Sequence, residues 1–409
     1  MQITGKEFPS TNSNHFHRYL QYSVSILSSY KGQEPFHLFL KKYFSANRKH
    51  GSKDRKLITA LCYNYFRLGF GVSTPSSQDE NFLLAVFLCE KSSSLFLDFF
   101  KPELNASISL PLIDKLKIVN KEFNEEKIFP FSDELSNEIN FRQFNLSFLI
   151  QPKLFIRIRP GFREIVINKI KHPGFSFEQL NENCIAFSNN EKVSNTIEID
   201  KEAVVQDYNS QITLDFLKPI IENEKVAISI WDCCAGSGGK SILAFDLFRN
   251  INITVSDKRK SILENLKVRF EEAGIKNYNP APADLEKSFH EIDQSFDIII
   301  ADVPCSGSGT WARTPEQLHF FKKDEIKKYA LLQRKIVENA LPHLKNNGHL
   351  LYVTCSVFKK ENEENVILFQ EKYKLNLLKL EYLKGYEMQA DTMFVALFIK
   401  VECSIALEA

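Results

Sequence analysis

Residues 227–241 read AISIWDCCAGSGGKS, an apolar run that ends in an acid and continues through a glycine-rich loop into a helical segment. Further apolar runs follow, and segments with helical spacing separate them, such as 258–273 and 325–341. The runs are Ala227–Trp231, Ile251–Val255, Ile298–Ala301, Leu350–Val353 and Phe394–Ile399. Strands that alternate with helices predict a doubly wound α/β fold with a mainly parallel, Rossmann-like sheet over residues 211–409. Ligands of such sheets bind beyond the carboxyl ends of the strands, where the strand order reverses.

The glycine-rich loop within Asp232–Ser241 is a candidate ligand site at the end of the first strand. Glycines let a ligand approach the backbone closely, and the first turn of the following helix offers unpaired N–H groups. The loop departs from both phosphate-binding templates. Cys234 stands where a P-loop has its first glycine, and Ser241 stands where a dinucleotide fingerprint has its third. The loop therefore leaves room for a nucleoside ligand bound without such a phosphate contact.

Two aspartates downstream fit a nucleoside ligand. Asp257 closes the next strand, about 20 residues on, where a carboxylate can accept hydrogen bonds from ribose hydroxyls. Asp284 follows the strand after that and is a candidate to face an adenine ring. The alternative for each residue is the N-cap of a helix, which is a common role for aspartate.

Two cysteines follow predicted strands of the same sheet. Cys305 lies in the stretch Asp302–Thr310. Cys355 directly follows the run Leu350–Thr354 and precedes the polar stretch Glu361–Asn365. A single cysteine in such a place usually packs in the core, but two of them beside a carboxylate and a glycine loop favour covalent catalysis. A thiolate can add to C6 of a pyrimidine, which makes C5 nucleophilic enough to take a methyl group from a sulfonium donor. Positive charge activates a thiol, and Lys240 is the nearest candidate among the motifs.

The first 145 residues show helical spacing of apolar side chains, with Ser52 as the expected N-cap of a helix that starts near Lys53. Between residues 41 and 67 the basic residues greatly outnumber the one acid, Asp54. The basic residues are Lys41, Lys42, Arg48, Lys49, Lys53, Arg55, Lys56 and Arg67. We call them the basic cluster. It is either a solvated helical face or a patch that contacts phosphates.

Residues 146–210 predict a small α+β subdomain. Within Leu154–Arg159 apolar and basic residues alternate, as in a strand with one buried face. Strand-like segments follow at 175–177 and 184–187. Arg157, Arg159 and Arg163 either line a channel for nucleic acid or lie on a wet face of the strand and its surroundings.

The composition is that of an ordinary globular protein, with 44% hydrophobic residues, 25% charged residues and a net charge of +1. Any site for a polyanion must therefore come from local clustering. No apolar run reaches about 18 residues, and the polar N-terminus Met1–Lys6 lacks a signal-peptide core, so we expect a cytoplasmic protein without a membrane span. The cysteines form no C-x2-C pair, so we expect reduced thiols and no metal site.

Three motif segments together resemble the Fmu/Sun (RsmB) family of RNA cytosine-C5 methyltransferases, which use S-adenosylmethionine. The segments are Asp232–Ser241, Asp302–Glu316 and Tyr352–Val366. The matching family patterns are D-x-C-A-A-P-G-G-K-[TS], D-[AV]-P-C-S-G-x-G, and Y-x-T-C-S with a downstream E-N-E. Val205–Gln211 is similar to the lead-in of the catalytic domain, so that the likeness extends over residues 150–400. Gly51–Arg55 and its helical surroundings are similar to the NusB-like domain that some members carry.

The resemblance implies a role for each matching residue. Cys355 matches the attacking thiol, and Cys305 matches the second cysteine, which assists release of the enzyme from the methylated base. Asp302 matches the acid that contacts the cytosine edge and lies near the cofactor. The implied S-adenosylmethionine pocket consists of Cys234, Ala235, Gly236, Ser237, Gly238, Gly239, Lys240, Asp257, Asp284 and Asp302.

The resemblance also implies three functional regions. Residues 1–145 would be a NusB-like RNA-binding domain, residues 146–210 a small RNA-binding subdomain, and residues 211–409 the catalytic domain. The implied partner is RNA, with ribosomal RNA first among the candidates. No pattern indicates an oligomeric state.

The chain departs from the family pattern at two places. Gly236-Ser237 replaces the usual Ala-Pro of the loop, and Ala312 replaces the first of two arginines that many members have before Thr314-Pro315-Glu316. Two alternatives stay open at this point. In a DNA cytosine-C5 methyltransferase the Pro-Cys thiol, here Cys305, would attack. A non-catalytic RNA-binding assembly factor with the same fold would bind the cofactor without turnover.

Overall fold

The computed structural model describes residues 13–73, 77–171, 174–221, 226–248, 250–287 and 293–401. Met1–Lys6 and Cys403 therefore lie outside the described residues. The chain forms two compact units. The helical unit consists of the chain up to Ser132 with Phe141–Gln151 and Trp311–Phe321, and the sheet unit consists of the remaining segments, Asp133–Asn140, Pro152–Thr310 and the chain from Lys322. These bounds differ from those of the three regions drawn from the sequence, because both sheets lie in one unit.

The helical unit is built on amphipathic helices whose apolar side chains form its core. Its helices are α1 (Ser13–Ser29), α2 (Phe36–Ala46), α3 (Ser52–Arg67), α4 (Gln78–Cys89), α5 (Leu95–Phe100), α6 (Pro102–Ala106), α7 (Leu112–Ile118), α8 (Phe141–Ser147) and α14 (Glu316–Phe320). Helix α3 starts one residue earlier than expected, at Ser52. The Asp54 carboxylate accepts a hydrogen bond from the Gly51 N–H at 2.9 Å and so pairs a donor at the start of the helix.

One member of the basic cluster is part of the core of this unit. Arg67 is 1% exposed. Its guanidinium donates to the Phe148 carbonyl at 2.9 Å, the Ala312 carbonyl at 2.7 Å and the Gln151 amide oxygen at 2.5 Å. A buried guanidinium needs such partners because leaving its N–H groups unpaired costs free energy. The reading of Arg67 as a phosphate contact is therefore wrong, whereas Lys53 and Lys56 are exposed.

The smaller sheet of the sheet unit is antiparallel, with the order β2-β3-β1-β4. Its elements are β1 (Leu154–Ile158), α9 (Arg163–Ile170), β2 (Phe177–Gln179), β3 (Cys184–Phe187) and β4 (Ala203–Val205). Strand β1 was expected to have one wet face, but four of its five residues are buried, Arg157 included. Arg157 and Arg159 both pair with Asp246, at 2.5 Å and 2.9 Å, so the reading of these two arginines as the lining of a nucleic-acid channel is wrong.

The larger sheet confirms the predicted α/β fold. Its elements are α10 (Tyr208–Ile212), α11 (Lys218–Ile221), β5 (Ile228–Asp232), α12 (Gly239–Leu247), β6 (Ile251–Val255), α13 (Lys260–Glu272), β7 (Asn279–Pro280), β8 (Phe296–Asp302), α15 (Lys323–Ala340), β9 (Leu344–Thr354), α16 (Glu363–Tyr373), β10 (Leu375–Leu383) and β11 (Met393–Lys400). The strand order is β10-β11-β9-β8-β5-β6-β7. The pairs from β9 to β7 are parallel, and the pairs made by β11 are antiparallel.

The strand order places the sequence motifs along one edge of this sheet. Strand β5 lies between β6 and β8, so the chain moves outward in both directions from β5, and the crevice at this reversal is where doubly wound sheets bind ligands. The glycine loop follows β5, Asp257 follows β6, Asp302 ends β8 and Cys355 follows β9. Within the described ranges, no helix is both long and apolar enough to cross a bilayer.

Candidate active site

The glycine loop joins β5 to α12 in a shape that requires glycine at two positions. Gly236 has φ +53° and Gly238 has φ +85°, in the left-handed region that side chains with a Cβ avoid. The Gly238 N–H donates to the Ala235 carbonyl at 2.9 Å, which closes a tight turn. The Gly236 N–H donates to the Asp257 carboxylate at 3.2 Å, so the predicted loop and the predicted acceptor are in contact.

The Asp257 carboxylate is fully engaged by its neighbours. One oxygen accepts from the Arg259 N–H at 2.9 Å and from Arg259 Nε at 3.0 Å, and the other accepts from Gly236 and from Arg259 Nη2. Burial acts to raise the pKa of Asp257, but the hydrogen bonds from Arg259 and Gly236 lower it below its usual value. The Arg259 side chain is 58% exposed, so a ligand hydroxyl can take its place at small cost.

Asp284 has local partners. Its carboxylate accepts from the Glu286 N–H at 3.2 Å and pairs with Lys287 at 3.3 Å. These are the contacts of an aspartate that stabilises a turn, which is the kind of local role considered above as the alternative. Its expected role beside an adenine ring stays a prediction.

The acid that ends β5, Asp232, is fully buried beside the loop. One oxygen accepts from the Ser241 hydroxyl at 2.6 Å. Burial raises the pKa of Asp232 to about 7. Lys240, the residue before Ser241, pairs with Asp302 at 2.7 Å. Lys240 was the candidate to activate a thiol, but its ammonium group is paired with the Asp302 carboxylate.

The structure brings the two predicted cysteines into contact. Strands β8 and β9 are parallel neighbours, with Asp302 opposite Val353, so the loops that follow them start side by side. The Sγ atoms of Cys305 and Cys355 are 3.2 Å apart, and the Cys355 N–H points at the Cys305 sulfur at 3.4 Å. The contact with Cys355, burial and the charge of Glu361 raise the pKa of Cys305 well above its usual value.

A buried carboxylate, Glu361, holds the residue that follows each cysteine. It accepts from the Ser306 N–H at 2.9 Å and from the Ser356 hydroxyl at 2.7 Å. A third donor, the Gln333 amide on α15, is 2.7 Å away and also donates to the Pro304 carbonyl. Burial raises the pKa of Glu361, although these hydrogen bonds favour its charged form. Glu361 thus fixes the spacing of the two cysteine loops.

Neighbours of Glu361 continue this hydrogen-bonded support. Asn362 accepts from the Thr354 hydroxyl at 2.6 Å and donates to the Ser356 carbonyl at 2.8 Å. Asn365 donates to the Gln333 amide oxygen at 2.9 Å. The polar stretch Glu361–Asn365 had no predicted role. The signal that could have found it is the run of acids and amides so soon after a catalytic candidate.

Replacing Glu361 by alanine is expected to destabilise the protein by about 3 kcal/mol, because buried donors lose a charged acceptor. Urea unfolding measures this change. Glu364→Ala is the matched control, since Glu364 is exposed in the same stretch and its loss should change the free energy of unfolding by less than about 0.5 kcal/mol. Equal stabilities for the two variants would contradict the role given to Glu361.

Over the described parts of the chain, no group of three or more His, Cys, Asp or Glu side chains is arranged to hold a metal ion. The polar groups gathered at this edge of the sheet are those that suit a nucleoside and a thiol reaction. They are a loop of backbone N–H groups, the two carboxylates Asp257 and Asp302, and a pair of thiols.

The part of the chain that contains this site is similar to known proteins. Residues 216–398 match the family model described as 16S rRNA methyltransferase RsmB/F. A protein of Citrobacter koseri named "Ribosomal RNA small subunit methyltransferase B" is 32% identical over 173 residues, 41% of this chain and 38% of the relative. Its namesake from Photorhabdus laumondii is 30% identical over 174 residues, again 38% of the relative. The chain thus matches well under half the length of these relatives.

Solved structures share the fold over a larger part of the chain. The structure titled "Crystal Structure of PH0851" has a TM-score of 0.67 at 19% identity and covers 97% of this chain and 100% of its own. The NSun6 protein of Pyrococcus horikoshii, solved with SFG, has a TM-score of 0.55 at 16% identity and covers 66% of this chain and 96% of its own. At these identities the likeness shows the fold alone.

Proposed function

Since residues 216–398 match the family model of the RsmB/F methyltransferases, we propose that the chain is a member of this family and transfers a methyl group from S-adenosylmethionine to C5 of cytosine in RNA. The substrate class is ribosomal RNA of the small subunit, which the names of the matching relatives support. The observation that carries the proposal is the contact between two thiols at the ends of neighbouring parallel strands, 3.2 Å apart.

The residues at the crevice suit S-adenosylmethionine. Residues 234–240 present backbone N–H groups at the start of α12, where a carboxylate such as that of the methionine moiety is stabilised. A Cβ on Gly236 would meet nothing within 4 Å, so the loop faces open space at this point. The Asp257 carboxylate would bind the ribose once the ribose hydroxyls replace the exposed Arg259 side chain as its hydrogen-bond donors. Asp302 would lie near the transferred methyl group. Asp284 completes the proposed pocket beside the adenine. When bound, the cofactor supplies an electrophilic methyl group.

The two thiols have different roles in the proposed reaction on the cytosine. The Cys355 thiolate attacks C6, and C5 then takes the methyl group. C5 later gives its proton to solvent, and the Cys355–C6 bond breaks with its electron pair returning to the Cys355 sulfur. The Cys305 sulfur lies 3.2 Å from the Cys355 sulfur, so it is placed to exchange a proton as that bond breaks. Asp302 holds the cytosine edge. The base must be unpaired or turned out of its helix, because C6 cannot be reached in a stack.

The motif Ser306-Gly307 after Cys305 and the separate motif Thr354-Cys355-Ser356 favour this assignment over the DNA-type alternative, in which Cys305 would attack. The non-catalytic alternative predicts cofactor binding without any methylated product.

The test is to incubate the protein with S-adenosylmethionine and unmethylated small-subunit rRNA, and to digest the RNA for mass spectrometry. We expect 5-methylcytidine, and its absence despite cofactor binding would favour the assembly factor. Bisulfite mapping of cellular RNA with and without the gene would then locate the nucleotide.

The helical unit and the smaller sheet are proposed to bind the RNA. The buried Arg67 is excluded as an RNA contact. The basic cluster still contains exposed members, among them Lys53 and Lys56 on the first turns of α3. Charge removal at Lys53, Arg55 and Lys56 should flatten the plot of log affinity against log salt by about 2, since each phosphate contact contributes about 0.7. Three exposed lysines of the same unit, Lys91, Lys117 and Lys121, are the control set. An unchanged slope would mean that the cluster is only a solvated face.

A further inference from the structure

An ion network connects the smaller sheet to the glycine loop. It begins at Asp246 on α12, whose side chain is 5% exposed and accepts two hydrogen bonds from Arg159, at 3.1 Å and 2.9 Å. Arg159 also donates to the Asp200 carbonyl at 3.0 Å and to the Ala273 carbonyl, at the end of α13, at 2.7 Å. Arg159 thus ties the loop around Asp200 to the two helices that flank the glycine loop.

The second half of the network reaches the glycine loop itself. Asp200, 7% exposed, forms a two-pronged ion pair with Arg269 on α13, at 2.8 Å and 2.7 Å. The remaining nitrogen of that guanidinium, Nη1, donates to the Ser237 carbonyl at 2.9 Å and to the Ser237 hydroxyl at 3.0 Å. A bidentate pair fixes the plane of a guanidinium, so Asp200 aims Arg269 at Ser237.

Ser237 stands at the position where the family pattern has proline. Proline fixes φ and reduces the conformations open to a loop, and Gly236-Ser237 gives up that restriction at an exposed turn. The two hydrogen bonds from Arg269 restrict the same residue from outside. The hydrogen bonds of the network therefore restrict the conformation of the loop at Ser237, as the proline ring restricts it in the family pattern.

We infer that Arg269, aimed by Asp200, is a positioning residue that holds the glycine loop in its cofactor-binding shape before the cofactor arrives. The inference rests on the proposed function, because it takes S-adenosylmethionine as the ligand of the loop. A loop already in the bound shape loses less conformational entropy on binding, so the network acts on affinity for the cofactor. It leaves the thiol chemistry untouched, since none of its members contacts the cysteines' sulfur pair in the hydrogen bonds described above.

The test measures the Kd of S-adenosylmethionine by calorimetry for the full chain and its variants. Arg269→Gln is expected to weaken binding about fivefold, with kcat at saturating cofactor unchanged. Asp200→Asn is expected to weaken binding in the parent protein but to add nothing in the Arg269→Gln background, because it acts only through Arg269. Arg163→Gln is the control. Arg163 belongs to the same sheet region but donates to the Glu182 carbonyl, and its loss should leave Kd unchanged.

A second readout separates positioning from general loss of structure. In the cofactor-free protein, hydrogen exchange of residues 235–239 should quicken in Arg269→Gln while that of the β8 and β9 strands stays the same. Arg269→Lys keeps the charge opposite Asp200 but lacks the fork, and it should weaken binding in the same way if the glutamine variant fails to fold. Additive effects of Asp200→Asn and Arg269→Gln, or a Kd unchanged in Arg269→Lys, would overturn the inference. If the parent protein itself does not bind S-adenosylmethionine, it is the proposed function that fails.

Discussion

Alanine at position 355 is expected to stop methyl transfer to RNA while binding of S-adenosylmethionine continues. The Cys355 sulfur supplies the bond to C6 without which C5 does not become nucleophilic, so the rate should fall by about four orders of magnitude or more. Transfer of labelled methyl groups to RNA measures the rate, and calorimetry measures the cofactor affinity. The loop that binds the cofactor follows β5 and the thiol follows β9, so the two readouts address separate elements.

The controls for this variant come from the chain itself. Cys89→Ala changes a cysteine of the helical unit that has no part in the proposed reaction, and it should retain the parent rate. Cys355→Ser keeps the size of the side chain but replaces the thiol with a much poorer nucleophile, so it should be as inactive as the alanine variant. Normal 5-methylcytosine production by the serine variant would contradict covalent catalysis by Cys355.

Alanine at position 305 is expected to have a different effect, namely a covalent protein–RNA complex that persists. The Cys305 thiol is in contact with the Cys355 sulfur at 3.2 Å, and without it the last step, release of the methylated base, is expected to slow. The complex should appear as a slow band on a denaturing gel that disappears after nuclease treatment. The double variant with Cys355→Ala should give no band. Rapid turnover by Cys305→Ala without any adduct would refute the role in release.

The sequence predicted the sheet and the thiol pair because both follow from local pattern. Apolar runs located five strands of the larger sheet, and strand ends that are neighbours in a parallel sheet must bring their following loops together. Two strands of that sheet lacked such a pattern. Strand β10 lies at the edge and most of its residues are exposed or half-buried, and β7 has two residues, one of them Pro280. Edge strands and prolines weaken the apolar signal.

The partners of charged side chains could not be predicted from the sequence in the same way. Arg67, Arg157 and Arg159 look like phosphate contacts because arginine serves both phosphates and buried carboxylates. What decides between these roles is the residue opposite in space, and Asp246 is almost 90 positions away from Arg159 in the chain. Glu361 was overlooked for a related reason, since an acid in a polar stretch shows its burial only when the fold encloses it.

The measurement that tests the central claim most directly is the location of the covalent bond. Small-subunit rRNA transcribed with 5-fluorocytidine should trap the protein, because fluorine at C5 cannot leave as a proton does. Digestion of the complex formed in the presence of S-adenosylmethionine, followed by peptide mass spectrometry, identifies the attached residue. The account predicts a nucleotide on Cys355 and none on Cys305. A nucleotide on Cys305, or methylation of ordinary RNA with no trapped complex from the fluorinated RNA, would contradict it.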